Sequence, residues 1–460
     1  MRMRGVVGTL LLSAVSVGAM ASGVLIYEQS AAAAAQAGAV VARPNDATAI
    51  FYNPAGLAFQ KNADLQFNLT YINADVKYES PSMGNFKDNA KNFFLPAIYF
   101  SMPISDRVSF GIMANAPYDL ATDWGSNFPG RWASRHAKIV TMNVRPVLAF
   151  KLDDHHAFSI GADYYDSQLD LYRSINTSAL STAINPNRYP SPPYPPGIPY
   201  YYPSEGRLMT HLRDQAWGWD VGYMYKNDPF SLGLFYSSKA KFTYDGHTSI
   251  RSSAAIGPLA AYFPGEGTKL ALDSVPASAR FGFAYSGNPL QVEFDVTWTQ
   301  WSSWGKSMAH FSNPTSFNGV PLVADEEFVF DWKDTWSYRL GFTYALSPNY
   351  DLRWGILYDQ APVPDKTLSP VLPDANRWSV QFGTGYHKGA FNLDWYVMYL
   401  KFSDANITSS NIYRYGQTGL PGDVYLPGQG YIYPATYPIT PDGKYVGTAW
   451  LGGIQMGWKF

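Results

Sequence analysis

From Trp450 to the terminal Phe460 the chain alternates between two kinds of residue. Trp450, Gly452, Ile454, Met456, Trp458 and Phe460 share one face of a strand; Leu451, Gly453, Gln455, Gly457 and Lys459 share the other. Side chains on a strand point alternately to opposite faces, so one face here is oily and the other small or polar. A terminal strand of this kind suits the closing strand of a transmembrane β-barrel, oily face to lipid and small face to the lumen. It also suits an edge strand of a soluble sandwich. The rest of the chain has to decide between them.

The same period recurs. Leu290, Val292, Phe294, Val296 and Trp298 alternate with Gln291, Glu293, Asp295, Thr297 and Thr299. Trp336, Tyr338, Leu340, Phe342 and Tyr344 alternate with Ser337, Arg339, Gly341, Thr343 and Ala345. Trp378–Tyr386 and Phe391–Tyr399 repeat it. The second face carries Glu293, Arg339 and Asp394, which a sandwich core would reject and a polar lumen accepts. Composition agrees: 16% of residues are aromatic and only 15% charged, against roughly 25% charged in soluble domains.

The start reads as a secretory signal over residues 1–21. Arg2 and Arg4 precede the apolar run Val6–Val17, which is too short to span a bilayer, and Ala19-Met20-Ala21 supplies a small-x-small cleavage pattern. No later stretch is long and apolar enough for a membrane helix. There is no cysteine, which excludes a disulfide framework, a thiolate metal site and a cysteine nucleophile. A net charge of −2 argues against nucleic acid as partner.

Short polar turns at 105–106, 153–156, 227–229, 287–289, 347–349 and 387–389 alternate with long segments near 79–91, 117–134, 174–206, 247–267, 307–326, 361–375 and 403–444. Short periplasmic turns and long outer loops are the barrel pattern. Six turns and seven loops join about fourteen strands, an even number with both ends in the periplasm. The expected fold is therefore all-β: a transmembrane antiparallel barrel over residues 62–460. Pro/Tyr-rich stretches at 185–203 and 425–437 read either as variable surface loops or as caps that grip a ligand.

Residues 22–61 have no barrel alternation and are too few for a stable soluble domain. They suit a plug inside the lumen, with a helix-prone run at Ala31–Ala35. Within them, Asp46-Ala47-Thr48-Ala49-Ile50-Phe51-Tyr52-Asn53-Pro54-Ala55-Gly56-Leu57 resembles the N-terminal hatch signature of the FadL/TodX family, outer-membrane transporters of long-chain fatty acids and other hydrophobic compounds. Its core is Asn53, Pro54 and Ala55, followed by Gly56. Asn115-Ala116-Pro117-Tyr118, at the end of the expected third strand, is similar to family text. So are Trp298-Thr299-Gln300-Trp301-Ser302 and Tyr358–Pro364 followed by Leu372–Arg377. The resemblance covers nearly all of the chain after the signal.

The resemblance implies a fourteen-stranded barrel with a hatch. Ligand enters from outside, reaches a pocket near the hatch, and leaves sideways into the membrane at the third strand. Physical chemistry suits an oily cargo to such a device, because each methylene taken from oil to water costs about 0.8 kcal/mol. The candidate exit is Met113, Ala114, Asn115, Ala116 and Pro117, where proline cannot donate to the ladder. The alternative is that Pro117 merely ends a strand at the outer rim. Val24, Leu25, Ile26, Tyr27 and Phe51 are the candidate hydrophobic pocket, although an apolar chain end also packs against an inner wall.

No catalytic residues, metal site or cofactor are expected. His155 and His156 fall together in a turn, where adjacent side chains point apart. The expected partners are a hydrophobic small molecule, either a fatty acid or a hydrocarbon, and the lipid and lipopolysaccharide of the outer membrane, around a monomer. A carboxylate ligand would want a cation, and no lysine or arginine can be assigned to it from the sequence. Alternative functions are a selective porin for small polar solutes and a barrel-borne surface adhesin.

Overall fold

The computed structural model describes residues 23–176, 205–252, 267–311, 315–317, 320–323, 326–407, 424–426, 430–432 and 443–460. The signal segment 1–21 and most of both Pro/Tyr-rich stretches lie outside the described residues. Fourteen antiparallel strands close into one barrel. In chain order β1 is Asp64–Ser80, β2 Asn92–Ser105, β3 Val108–Asp123, β4 His136–Lys151, β5 His156–Asn176 and β6 Glu205–Asn227. Then β7 is Phe230–Ser237 continued by Ala240–Ser252, β8 Thr268–Val275 continued by Ser278–Ser286, and β9 Leu290–Thr299 continued by Lys306–Phe311. Finally β10 is Glu326–Val329 continued by Thr335–Ser347, β11 Tyr350–Asp359, β12 Arg377–Lys388, β13 Phe391–Phe402 and β14 Gly443–Lys459.

Closure runs from Asp64↔Lys459 to Glu79↔Lys444, so the barrel wall between β1 and β14 has no free edge. Alternation sets the two faces. Phe67, Leu69, Trp336, Tyr338, Trp378 and Ile454 face outward and are exposed, whereas Glu293, Asp295, Arg339 and Asp394 face inward and are buried. Phe460 ends the closing strand at 72% exposure, and Trp458 packs edge-on against Phe67. In lipid every backbone donor and acceptor must be satisfied within the protein, and a closed ladder does that.

Two features depart from the sequence reading. The segment 117–134 is not a loop throughout: β3 continues past Pro117 to Asp123, so Asn115-Ala116-Pro117-Tyr118 does not end the strand. Strands β5, β6 and β7 likewise run to Asn176, from Glu205 and to Ser252, inside the stretches assigned to loops. At the outer end, Trp124 stacks on Phe128 at 4.7 Å between ring centroids. Its indole Nε1 donates to the Pro370 carbonyl at 2.9 Å, tying the segment after β3 to the one before β12.

The lumen is filled. Residues 23–61 lie inside the barrel, with short helices α1 (Ala31–Ala34) and α2 (Ala49–Tyr52) and a 3-10 turn over Pro54–Phe59. Ser30 caps α1, accepting from the Ala33 amide, and its hydroxyl donates to Gln455 on β14 at 2.7 Å. Inward glycines make room for this inner chain. A Cβ at Gly233 would fall 2.0 Å from the Val41 carbonyl oxygen, and one at Gly341 would fall 2.4 Å from that of Gln36.

Candidate functional site

The inner chain is held by charged wall residues rather than by oil alone. Asp295 on β9 accepts from the amides of Val40 (2.9 Å) and Val41 (3.1 Å), and Glu293 accepts from Ala42 at 2.6 Å. Arg43 lies 3.6 Å from the same Glu293. These carboxylates are buried, and the backbone donors that they receive are what make burial tolerable.

Asn53 sits in this frame, fully buried. Its side-chain amide donates to the carbonyls of Val41 (2.8 Å) and Tyr223 on β6 (3.1 Å). Its carbonyl accepts from the Ala55 amide at 3.3 Å. Pro54 opens the following turn, where its missing N–H leaves nothing unpaired. Gly56 faces Pro44 so closely that a Cβ would come within 2.4 Å of its ring. The signature residues thus join two stretches of the inner chain to the wall.

The last carbonyls of α2 have no partners within so short a helix. Two wall arginines supply them. Arg145 donates to Ile50 at 3.1 Å, and Arg280 donates to Phe51 at 2.6 Å and Tyr52 at 3.3 Å. The wall arginines then divide. Arg145 pairs with Asp163 (2.6 Å) and Asp220 (3.4 Å), Arg353 with Asp394 and Asp351, and Arg377 with Asp359. Arg280 and Arg339 make no carboxylate salt bridge among the described residues, and the Nε of each is buried without a partner.

Both stand against Tyr27. The Arg339 guanidinium is 3.9 Å from the Tyr27 ring centroid and that of Arg280 is 5.0 Å away. Tyr27 also meets Phe51 and Tyr52 edge-on, at 5.7 and 5.2 Å, while its own hydroxyl is buried without a partner. Of the candidate pocket residues, the structure brings Val24, Leu25, Tyr27 and Phe51 into one apolar cluster. Ile26 is buried in a neighbouring one. The first cluster continues through Tyr118, Leu169, Leu212, Phe242 and Leu270. There it meets an outer cavity lined by Leu171, Leu208, Leu270, Phe311 and Phe328. Apolar side chains therefore run from the outer end to the inner chain.

The candidate exit has a distinct geometry. Pairing of β2 with β3 stops at Ile98↔Ala114, although β2 stays paired with β1 as far as Asn92. The next residues on the two edges include Pro96 and Pro117, neither of which has an N–H to offer. On its other side β3 bulges between Asn115 and Tyr118. From Asn115 to Thr122 every residue is buried, so neither face of this stretch is open to lipid, although its ladder with β4 resumes at Tyr118↔Thr141 and runs to Asp123↔His136. The inner chain occupies the edge that β2 leaves unpaired. The Ile26 amide donates to the Pro117 carbonyl at 2.8 Å, Leu25 bridges to Tyr118, and Gln29 reaches the Ala116 carbonyl. Met113 is buried in the apolar cluster below.

The start of the inner chain is gripped from two sides. The Gly23 amide donates to Asp374 at 2.9 Å, and Trp301 covers its α-carbon. Burial pushes the Asp374 carboxyl up to about 8, against the opposing pull of the Gly23 amide and of Arg377. Gly23 has φ +61°, and a Cβ would fall 2.4 Å from the Trp301 ring. Gly23→Ala is thus expected to displace Val24–Tyr27. Faster amide exchange at Ile26 and a changed tryptophan emission should report it; wild-type exchange at Ile26 would show that the clamp is not needed.

Sequence reasoning did not find Arg145, Arg280 or Arg339 as site residues. Their inward parity on alternating strands is a signal, but it does not tell a paired arginine from an unpaired one. Among the described residues no group of histidine and acidic side chains is placed to hold a metal.

A family model described as outer membrane protein transport protein (OMPP1/FadL/TodX) matches residues 12–439. The chain is 25% identical over 433 residues to the long-chain fatty acid transport protein of Escherichia coli K12, covering 90% of this chain and 89% of that one. In fold it is similar to a Pseudomonas aeruginosa FadL homologue, with TM-score 0.75 at 20% identity, covering 95% of this chain and all of the other. It is also similar to the Pseudomonas putida toluene transporter TodX, with TM-score 0.65 at 15% identity, covering 95% and 98%. Barrel, buried inner chain and family match agree: the chain belongs to the OMPP1/FadL/TodX family of outer-membrane transport proteins.

Proposed function

We propose that this barrel takes up hydrophobic molecules with an anionic head, long-chain fatty acids being the class that fits. It binds them where Tyr27 now sits and releases them sideways between β2 and β3. The single observation that carries the choice of cargo is the pair of buried guanidiniums, Arg280 and Arg339, flanking Tyr27 with no carboxylate at salt-bridge distance among the described residues. A neutral hydrocarbon needs no such charge, whereas a carboxylate entering a dry site needs a cation beside it. In this reading the apolar run Val24–Ile26 and the Tyr27 ring hold the place of a ligand's tail and head, and the cargo displaces them. The fatty acid transporters among the relatives support the same class.

The test is a pair of ligands. Arg280→Gln keeps a donor for the Phe51 and Tyr52 carbonyls but removes the charge. Binding of a sixteen-carbon fatty acid should weaken by about 10- to 100-fold, in line with the roughly 1.5–3 kcal/mol of a charge-assisted hydrogen bond. Binding of toluene or a neutral alkane should stay near wild type. Equal weakening for charged and neutral ligands would mean that Arg280 only supports α2.

A further inference from the structure

Strands β5, β6 and β7 rise well beyond the membrane, and their outer faces carry an arrangement that the transport path does not use. Trp217 and Trp219 on β6 point outward, 67% and 53% exposed, and mark the outer aromatic girdle. Above them on the same face come Arg213, His211 and finally Arg207. From Trp217 to Arg207 is about ten residues, so Arg207 stands some 25 Å above the girdle on a strand tilted by about 40°.

Arg207 lies directly opposite Arg251 of β7 in the ladder. Two rows below on the same face, His211 lies opposite His247, with ring centroids 5.2 Å apart. Like charges directly opposite each other across a ladder are destabilising. Neighbouring groups on this face have partners: Arg213 holds Asp166 with two hydrogen bonds, and the His211 ring lies 2.7 Å from Asp170. Arg207 and Arg251 have no acidic partner among the described residues.

We infer that the Arg207/Arg251 pair is a docking site for the phosphorylated head of an outer-leaflet glycolipid. The occupant follows from position and charge. The patch is continuous with the lipid-facing wall at Trp217 and Trp219, and it looks sideways over the membrane surface rather than into the lumen. Its height puts it beyond the acyl chains and the headgroup layer, on the side of the phosphorylated sugar core of such a glycolipid. A phosphate dianion between two guanidiniums turns the repulsion of the bare pair into attraction. Neither arginine lines the outer cavity, whereas Leu208 and Leu212, on the opposite face of β6, do.

The test uses the whole barrel, purified in detergent free of glycolipid. Its probes are a lipopolysaccharide with a phosphorylated inner core, the same glycolipid after dephosphorylation, and inositol hexakisphosphate. Wild type should bind the phosphorylated glycolipid at least tenfold more tightly than the dephosphorylated one, and the double variant Arg207→Gln/Arg251→Gln should lose that preference. Without glycolipid, Arg207→Gln alone should unfold at the same temperature as wild type or higher, because it relieves the repulsion. With glycolipid, it should unfold lower than wild type. An equal loss of stability in both conditions would make the pair structural and overturn the inference. So would an undiminished preference in the double variant. Full competition by equimolar inositol hexakisphosphate would instead assign the site to a soluble anion.

Discussion

Locking the wall between β2 and β3 is expected to abolish delivery of a long-chain ligand while leaving its binding nearly unchanged. Beyond Ile98↔Ala114 the ladder is open, and prolines on both edges keep it from closing. A sixteen-carbon tail costs on the order of 12 kcal/mol to bring from oil into water. An exit that keeps the tail dry therefore has a large advantage over one through a wet lumen. Ala97→Cys with Asn115→Cys places thiols at the first positions past the last pair, and the chain has no native cysteine to interfere. A short thiol-reactive bridge between them should lower uptake by tenfold or more, and a bridge with a cleavable disulfide should restore it on reduction. Equilibrium binding precedes release and should stay within about twofold of wild type. Normal uptake with the bridge verified as complete would rule out this exit and favour passage past the inner chain into the periplasm.

Asn53→Ala is expected to open the lumen without unfolding the barrel. The variant loses two donors and one acceptor at once, and leaves the buried Val41 carbonyl and Ala55 amide unsatisfied. At about 1–3 kcal/mol for each of these buried groups left unpaired, docking of the inner chain weakens by roughly 2–6 kcal/mol. That is a change of about thirtyfold or more in the undocked population. The wall should not follow, because its ladder closes through β1 and β14 without Asn53. Single-channel recordings should show a raised leak conductance, while migration of unheated protein on gels stays that of a folded barrel. Wild-type leak together with wild-type uptake would mean that the triplet marks the family without anchoring the inner chain.

The lipid-facing wall was legible in the sequence, and the reason is physical. Within the membrane one face of each strand meets hydrocarbon and the other meets the lumen, so the period of two is written plainly, as from Trp336 to Tyr344 or Trp450 to Phe460. Above the membrane the outward face meets water instead of hydrocarbon, and the oily residues, such as Leu208 and Leu212, are on the inward face. The lipid-facing pattern is lost there, and the upper parts of β5, β6 and β7 read as loop although they are strand. The Asn-Pro-Ala triplet was visible as text, but its partners were not. Val41 lies twelve residues before Asn53 and Tyr223 lies on a distant strand, and nothing local selects them.

The sequence by itself determined the class of the molecule: a closed barrel with an oily outside and a polar lumen. Only the tertiary structure decided where the inner chain is held. Barrel closure brings Asp295 to Val40, Arg280 to Tyr52, and the Ile26 amide to the Pro117 carbonyl, over separations that no periodicity encodes. It also decided which arginines are neutralised. Arg145 and Arg280 are both inward-facing residues on lumen-lining strands, yet one meets Asp163 and Asp220 while the other, among the described residues, meets carbonyls and aromatic rings. Charge pairing depends on which strands become neighbours around the ring, and that neighbourhood exists only once the barrel has closed.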